Sequence, residues 1–233
     1  MYLHNVSLER VWPVVSADVL AYTELTQDPL YANIAPRAIV SYIDGALQIG
    51  QQAGKVFSYD GDLAPLMKQI AQSGTRVTFS DEKKREGNKF VRAQYEKKPP
   101  VIYIYRPSLE QMEHFFLKSG YRVRQEDFMA LHMCHEWFHH LEETRFGRTD
   151  LQLPKVKMRK VGPVTFKQSV EKTREIAAHA FTQAVMGLSW YPLLLDYLMA
   201  QSEQKVRKEQ IREKLYVLKQ EYERLKEAQP TVV

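Results

Sequence analysis

Five consecutive residues have the types and spacing to do chemistry together: His135-Glu136-Trp137-Phe138-His139. On a helix, positions i and i+4 share a face, so both imidazoles can reach one metal ion. Glu136 stands beside them, where a carboxylate can take a proton from a water activated by that ion. The pattern is H-E-x-x-H, and the chemistry it suits is metal-assisted hydrolysis. Five letters with two wildcards also occur by chance, so the flanking sequence must supply the context.

The flanks favour a helix. Gln125 to Cys134 runs into the motif and Leu141 to Phe146 follows it. No Pro or Gly interrupts residues 121–146, and Gly147 is a stop. Phe128, Leu131, Cys134, Phe138 and Leu141 recur at helical spacing, so the metal-facing side borders an apolar stripe. Two His and one Glu beside such a stripe are costly to bury, and coordination satisfies them.

A catalytic zinc takes three protein ligands and keeps a fourth position open. The best third ligand in the chain is Glu175, within Arg174-Glu175-Ile176-Ala177-Ala178-His179-Ala180-Phe181. Ala177, Ala178, Ala180 and Ala184 would let this helix approach the motif helix closely. His135, His139 and Glu175 then hold the metal, with Glu136 as general base. Asp150, Glu142 and Glu143 are rivals. The two Glu lie one turn past His139 on the same helix and reach the ion only with strain, so they suit solvated charge or support of a ligand. Glu175 itself could instead be an exposed carboxylate paired with Lys172 or Arg174.

His179 shares a face with Glu175. It could orient a ligand, hydrogen-bond the transition-state oxyanion, or merely be a partly exposed neighbour. His132 and His140 flank the motif and are read as bystanders. Cys134, the only cysteine, points about 100° away from His135 around the helix and reads as a small buried filler. A carboxylate-bridged di-iron site would need a second Glu-x-x-His beside Glu136-x-x-His139. Glu110 and His114, like Glu175 and His179, are four apart. The chain has no His-Asp dipeptide, which removes a phosphohydrolase reading based on that pair.

His135-Glu136-x-x-His139 followed by Glu175-x-x-Ala178-x-x-Phe181 resembles the ImmA/IrrE family of small zinc metallopeptidases. The intervening stretch of about 35 residues suits that family's layout, and the resemblance covers about residues 38–190. It implies a zincin-like, zinc-dependent endopeptidase that cleaves a protein substrate, often a transcriptional regulator or repressor. Two departures stand out: Trp137 and Phe138 are bulkier than the family's usual inner pair, and a long C-terminal helix lies outside the shared core. A second reading keeps the metal as a structural element of a non-catalytic regulatory protein that binds a protein or DNA partner.

The bulk numbers fit a soluble, helix-rich protein. The 233 residues are 44% hydrophobic and 26% charged, with only 10 Gly. Residues 1–15 carry Glu9 and Arg10 and lack an apolar core, so no signal peptide is expected. No run of eighteen apolar residues exists, and a single Cys suits a reducing cytoplasm. The net charge of +5 is a mild excess. The clusters Lys83-Lys84-Arg85, Lys97-Lys98 and Lys155 to Lys160 read as solvated surface rather than a direct nucleic-acid site.

Three segments are expected: an N-terminal segment 1–37, a zincin-like domain 38–190, and a helical extension 191–233. The architecture is α+β, with a small antiparallel or mixed sheet before the metal helix. Helices are predicted at 38–53, at 62–72, from Pro107-Ser108 with a Ser108/Gln111 capping box, and at 169–186 ending at Gly187. Strands are predicted at 75–80 and 88–95, joined by the polar turn 81–87, and at 101–105. A hairpin is predicted around Val161-Gly162-Pro163. Val101 to Tyr105, with Ile102 and Ile104, or the strand beside it, is a candidate edge that pairs with extended substrate, although its apolar density argues for a central core strand. Ile211, Leu215, Leu218, Tyr222 and Leu225 form a short heptad seam, available for packing on the domain or for a homodimer.

Overall fold

Helices α2 (Pro36–Gly54), α5 (Gln125–Leu141) and α7 (Lys172–Met186) make the centre of the molecule, with α7 between the other two. The computed structural model describes residues 1–8, 15–87, 89–161, 164–202 and 206–228. Glu9, Arg10 and Asn88, and Gly162 and Pro163 where the hairpin turn was expected, lie outside them.

The sheet is mixed. Strands β1 (Arg76–Ser80), β5 (Pro100–Tyr105) and β4 (Ala93–Lys97) lie in the order β1-β5-β4, with β5 parallel to β1 and antiparallel to β4. This corrects the expected pairing of 75–80 with 88–95. A two-residue ribbon of β2 (Arg85–Glu86) and β3 (Lys89–Phe90) forms between them, and β5 takes the centre. The physical reason is the apolar density of β5: Val101, Ile102 and Ile104 are fully buried, and a strand with both faces covered belongs inside. Among the described residues, Ile102 and Ile104 are therefore not on an edge strand, and the edges are β1 and β4.

The remaining elements follow the expected pattern with local differences. Asp62 caps α3 (Leu63–Gln72) by accepting the Ala64 N–H at 2.9 Å. Helix α4 (Arg106–Lys118) starts before Ser108, so the Ser108/Gln111 capping box does not form; the Ser108 hydroxyl donates to the Val91 carbonyl. β6 (Val156–Val161) and β7 (Val164–Gln168) form the antiparallel hairpin, and the short α6 (Thr149–Gln152) precedes them. Gly187, at φ 62°, ends α7 in the left-handed conformation that glycine adopts without penalty.

Helix α1 (Ala17–Leu25) carries no apolar stripe because Val19 to Leu25 are all buried; a helix covered on every side shows no periodicity. The C-terminal segment holds two helices, α8 (Leu193–Ser202) and α9 (Lys208–Glu227). The seam residues Ile211, Leu215 and Tyr222 are buried, with α9 lying on α1 and α2. Leu3 and Val6, the central helices, and Leu194, Leu215 and Tyr222 belong to one buried cluster, so all three segments share a core. No described helix is long and apolar enough to cross a membrane.

Candidate metal centre

Helix α5 is anchored at both ends before it presents its imidazoles. Near its start the buried Asp127 accepts the Leu3 N–H at 2.6 Å and the Tyr59 hydroxyl at 2.8 Å. Further along, Trp137 donates to the Ser73 hydroxyl and packs against Phe57 and Phe181. Phe138 also packs on Phe181, at 5.1 Å between ring centroids. The bulky inner pair of the motif and the last residue of the downstream signature thus grip each other. That grip fixes the rotation of α5 against α7.

Helix α7 is placed by residues far away in sequence. Asp28 accepts the Lys172 backbone N–H at 2.9 Å, a negative charge at the positive end of the helix. Lys172 makes its ion pair with Glu24. The small residues mostly face away from the motif helix. A Cβ on Gly50 would lie 2.1 Å from the Ala177 carbonyl oxygen, and one on Gly54 would lie 2.6 Å from the Ala184 Cβ. Ala177, Ala180 and Ala184 therefore serve the contact with α2. The reading of the alanines as a device for joining the two ligand helices is corrected accordingly.

His135, His139 and Glu175 converge. One ligand atom from each lies within 4.8 Å of the others, and the three could hold a metal ion. His135 Nε2 lies 3.3 Å from Glu175 Oε2, and His139 Nε2 lies 3.5 Å from Glu175 Oε1. Good hydrogen bonds are shorter. Two imidazoles and a carboxylate are a donor set that zinc takes, so the residues fit the group. The Glu175 side chain is 37% exposed and the two His less so, so solvent reaches at least the carboxylate arm of the site. Glu136 is half-buried and its charge acts on His139.

The electrostatics follow from this crowding. Burial alone would lower the His139 pKa, but Glu175 on one side and Glu142 on the other lift it to about 10. Burial alone would raise the Glu175 carboxyl; His139 and His135 hold it well below the usual carboxylate range. His179 lies 4.6 Å from the His135 ring and 5.6 Å from the Tyr191 ring, between centroids. Its buried Nδ1 has no hydrogen-bond partner, and burial and the neighbouring His135 push its pKa down to about 3. It is therefore a neutral imidazole beside the metal ligands.

The flanking residues are structural. His132 contacts the Met112 sulfur. His140 donates from Nε2 to the Ser73 carbonyl and accepts the Tyr95 hydroxyl at Nδ1, tying α5 to the sheet. Cys134 is fully buried. Asp150 is held by Arg148 and Ser169 and does not join the three donors.

Glu142 is fully buried, and its Oε2 lies 3.3 Å from His139 Nδ1 and 3.0 Å from Arg174 Nε. Arg174 and the Thr149 N–H are contributors that sequence reasoning missed. The only hint was that Arg174 precedes Glu175. Comparison with family models, with curated proteins and with solved structures returned no match.

Proposed function

We propose that this protein is a zinc-dependent metallo-endopeptidase of the ImmA/IrrE kind, acting in the cytoplasm on a protein substrate such as a transcriptional regulator. The observation that carries the reading is the convergence of His135, His139 and Glu175, whose ligand atoms lie within 4.8 Å of one another, with Glu136 next in sequence to one of them. Imidazole and carboxylate donors that solvent reaches suit zinc in a catalytic role. When bound, zinc supplies a Lewis acid that polarises a carbonyl and brings the pKa of water to about 7.

The rest belongs to the chain. Glu136 takes a proton from the attacking water and returns it to the leaving amine. His179, neutral and adjacent, has the protonation state to donate a hydrogen bond to a developing oxyanion. Extended substrate needs a sheet edge near α5. That edge is β4, which touches α5 through Tyr95 and the residues just past its end through Lys97, and which, among the described residues, pairs with β5 alone.

Elemental analysis of the purified protein, paired with hydrolysis of a peptide library, tests the proposal. Zinc at one equivalent and chelator-sensitive cleavage are expected. Glu136→Gln should keep the metal and lose cleavage, whereas His139→Ala should lose both. Undiminished hydrolysis by Glu136→Gln would refute the mechanism. A firmly held metal with no hydrolysis of any peptide supports the second reading, a metal-stabilised regulatory protein that binds a protein or DNA partner.

A further inference from the structure

We propose that Glu142 positions the metal centre, that Arg174 locks it in that role, and that the pair dictates which nitrogen His139 offers to the ion. The inference rests on the metal-centre reading above and adds to it the residues that set its affinity.

Both oxygens of Glu142 are committed. Oε1 accepts the Thr149 N–H at 2.8 Å, and Oε2 accepts the Arg174 Nε–H at 3.0 Å. The same Oε2 lies 3.3 Å from His139 Nδ1. The Glu142 side chain is fully shielded from solvent. A carboxylate in that setting stays ionised only because donors surround it.

An ionised carboxylate has no proton to give, so the contact requires the hydrogen of His139 to sit on Nδ1. A ligating imidazole must be neutral, so the proton His139 gives up to bind an ion is the one on Nε2, the atom that faces Glu175. A carboxylate behind a ligating imidazole fixes its tautomer and ring orientation and raises its basicity.

The arrangement is closed on itself. Glu142 opens the π turn Glu142–Phe146 that follows α5, one turn beyond His139. Arg174 lies next to Glu175 in sequence, so α7 supplies both a ligand and the residue that restrains Glu142. His139, Glu142, Arg174 and Glu175 form a circuit that joins the two ligand helices. With its oxygens occupied, Glu142 cannot swing toward the ion as a further ligand, and the open position survives. Glu143, one residue on, makes the useful contrast: it pairs with Lys97 and with the outer Arg174 nitrogen and touches no metal ligand.

The test is zinc affinity of the full chain, measured by competition with a chromophoric chelator, alongside the visible absorption of the cobalt-substituted protein. Glu142→Ala should weaken zinc about 100-fold, and Glu142→Gln and Arg174→Met about 10-fold each, the range found when such supporting partners are removed. The cobalt spectrum should change in each, reporting altered ligand geometry. Glu143→Gln should stay within about twofold of the parent. Should Glu142→Ala fail to fold, the Gln and Arg174 variants carry the test. Parent-like affinity in the folded Glu142 variants overturns the proposal. So does an equal loss in Glu143→Gln, which would mark a general charge effect. Failure of the underlying metal reading looks different: His139→Ala would then bind zinc as the parent does.

Discussion

Helix α7 meets α5 on one side and α2 on the other, and the two contacts are made of opposite materials. Toward α5 and the turn that follows it, it presents Glu175 and Arg174, held by directional polar contacts at 3.0–3.5 Å, with His179 against the His135 ring. Toward α2 it presents Ala177, Ala180 and Ala184 against Gly50 and Gly54, held by shape alone. The polar side gains from charge and geometry but is reached by solvent. The small-residue side has no room for a methyl group and so fixes the depth of the helix. The proposed metal centre, which would bring three donor atoms from two helices to one ion, needs such a rigid backing.

The sharpest probe of the polar side is His179→Ala. Turnover should fall about 100-fold, the usual loss when one oxyanion donor goes, while zinc content is unchanged. Unaltered turnover would reduce His179 to packing.

The packed side is probed by Gly50→Ala. Helix propensity favours the change by about 1 kcal/mol, but the added Cβ would meet the Ala177 carbonyl oxygen at 2.1 Å. Overpacking against backbone costs about 3 kcal/mol, so urea denaturation should show a net loss of about 2 kcal/mol. A more stable variant would break the contrast between the two sides.

A smaller effect is expected at the buried Asp150, which Arg148 grips through Nε and Nη2. Burial would raise its carboxyl, but Arg148 and Ser169 hold it below the ordinary value of 3.8. A depressed folded-state value contributes stability that is present above pH 3.8 and is lost as pH falls through the folded value. Asp150→Asn should therefore cost about 1 kcal/mol at neutral pH and flatten the acid limb of the stability curve. An acid limb as steep as the parent's would assign that limb to other carboxylates.

The smallest effect belongs to Lys97→Ala. Its pair with Glu143 is exposed on the lysine side, and such pairs contribute about 0.5 kcal/mol or less. A loss above 1 kcal/mol would show that Glu143 matters more to the site than its geometry implies.

The motif helix, its stop at Gly147, the second ligand helix and its stop at Gly187 were legible because each has a local signal: helical spacing, a breaker, a ligand pair one turn apart. His135 and His139 were legible for the same reason, since i and i+4 on one rod bring them together before any tertiary contact exists; Glu175 lies on another helix, and only the packing of α7 on α5 brings it to them. Helix α1 was not legible, because a rod buried on all sides has no stripe. Nor was the place of β5 at the centre of the sheet, because strand order depends on which apolar faces find cover.

What the sequence determined alone is the chemistry on offer: two imidazoles, a carboxylate neighbour, and a third donor on a later helix. What only the tertiary structure decided is how that chemistry is held. Asp28 caps α7, Gly50 and Gly54 set its depth, and Thr149 and Arg174 pin Glu142 against His139. Those contacts join residues remote along the chain. Side-chain spacing along a helix is set by its own backbone, whereas the distance between helices is set by whatever packs between them.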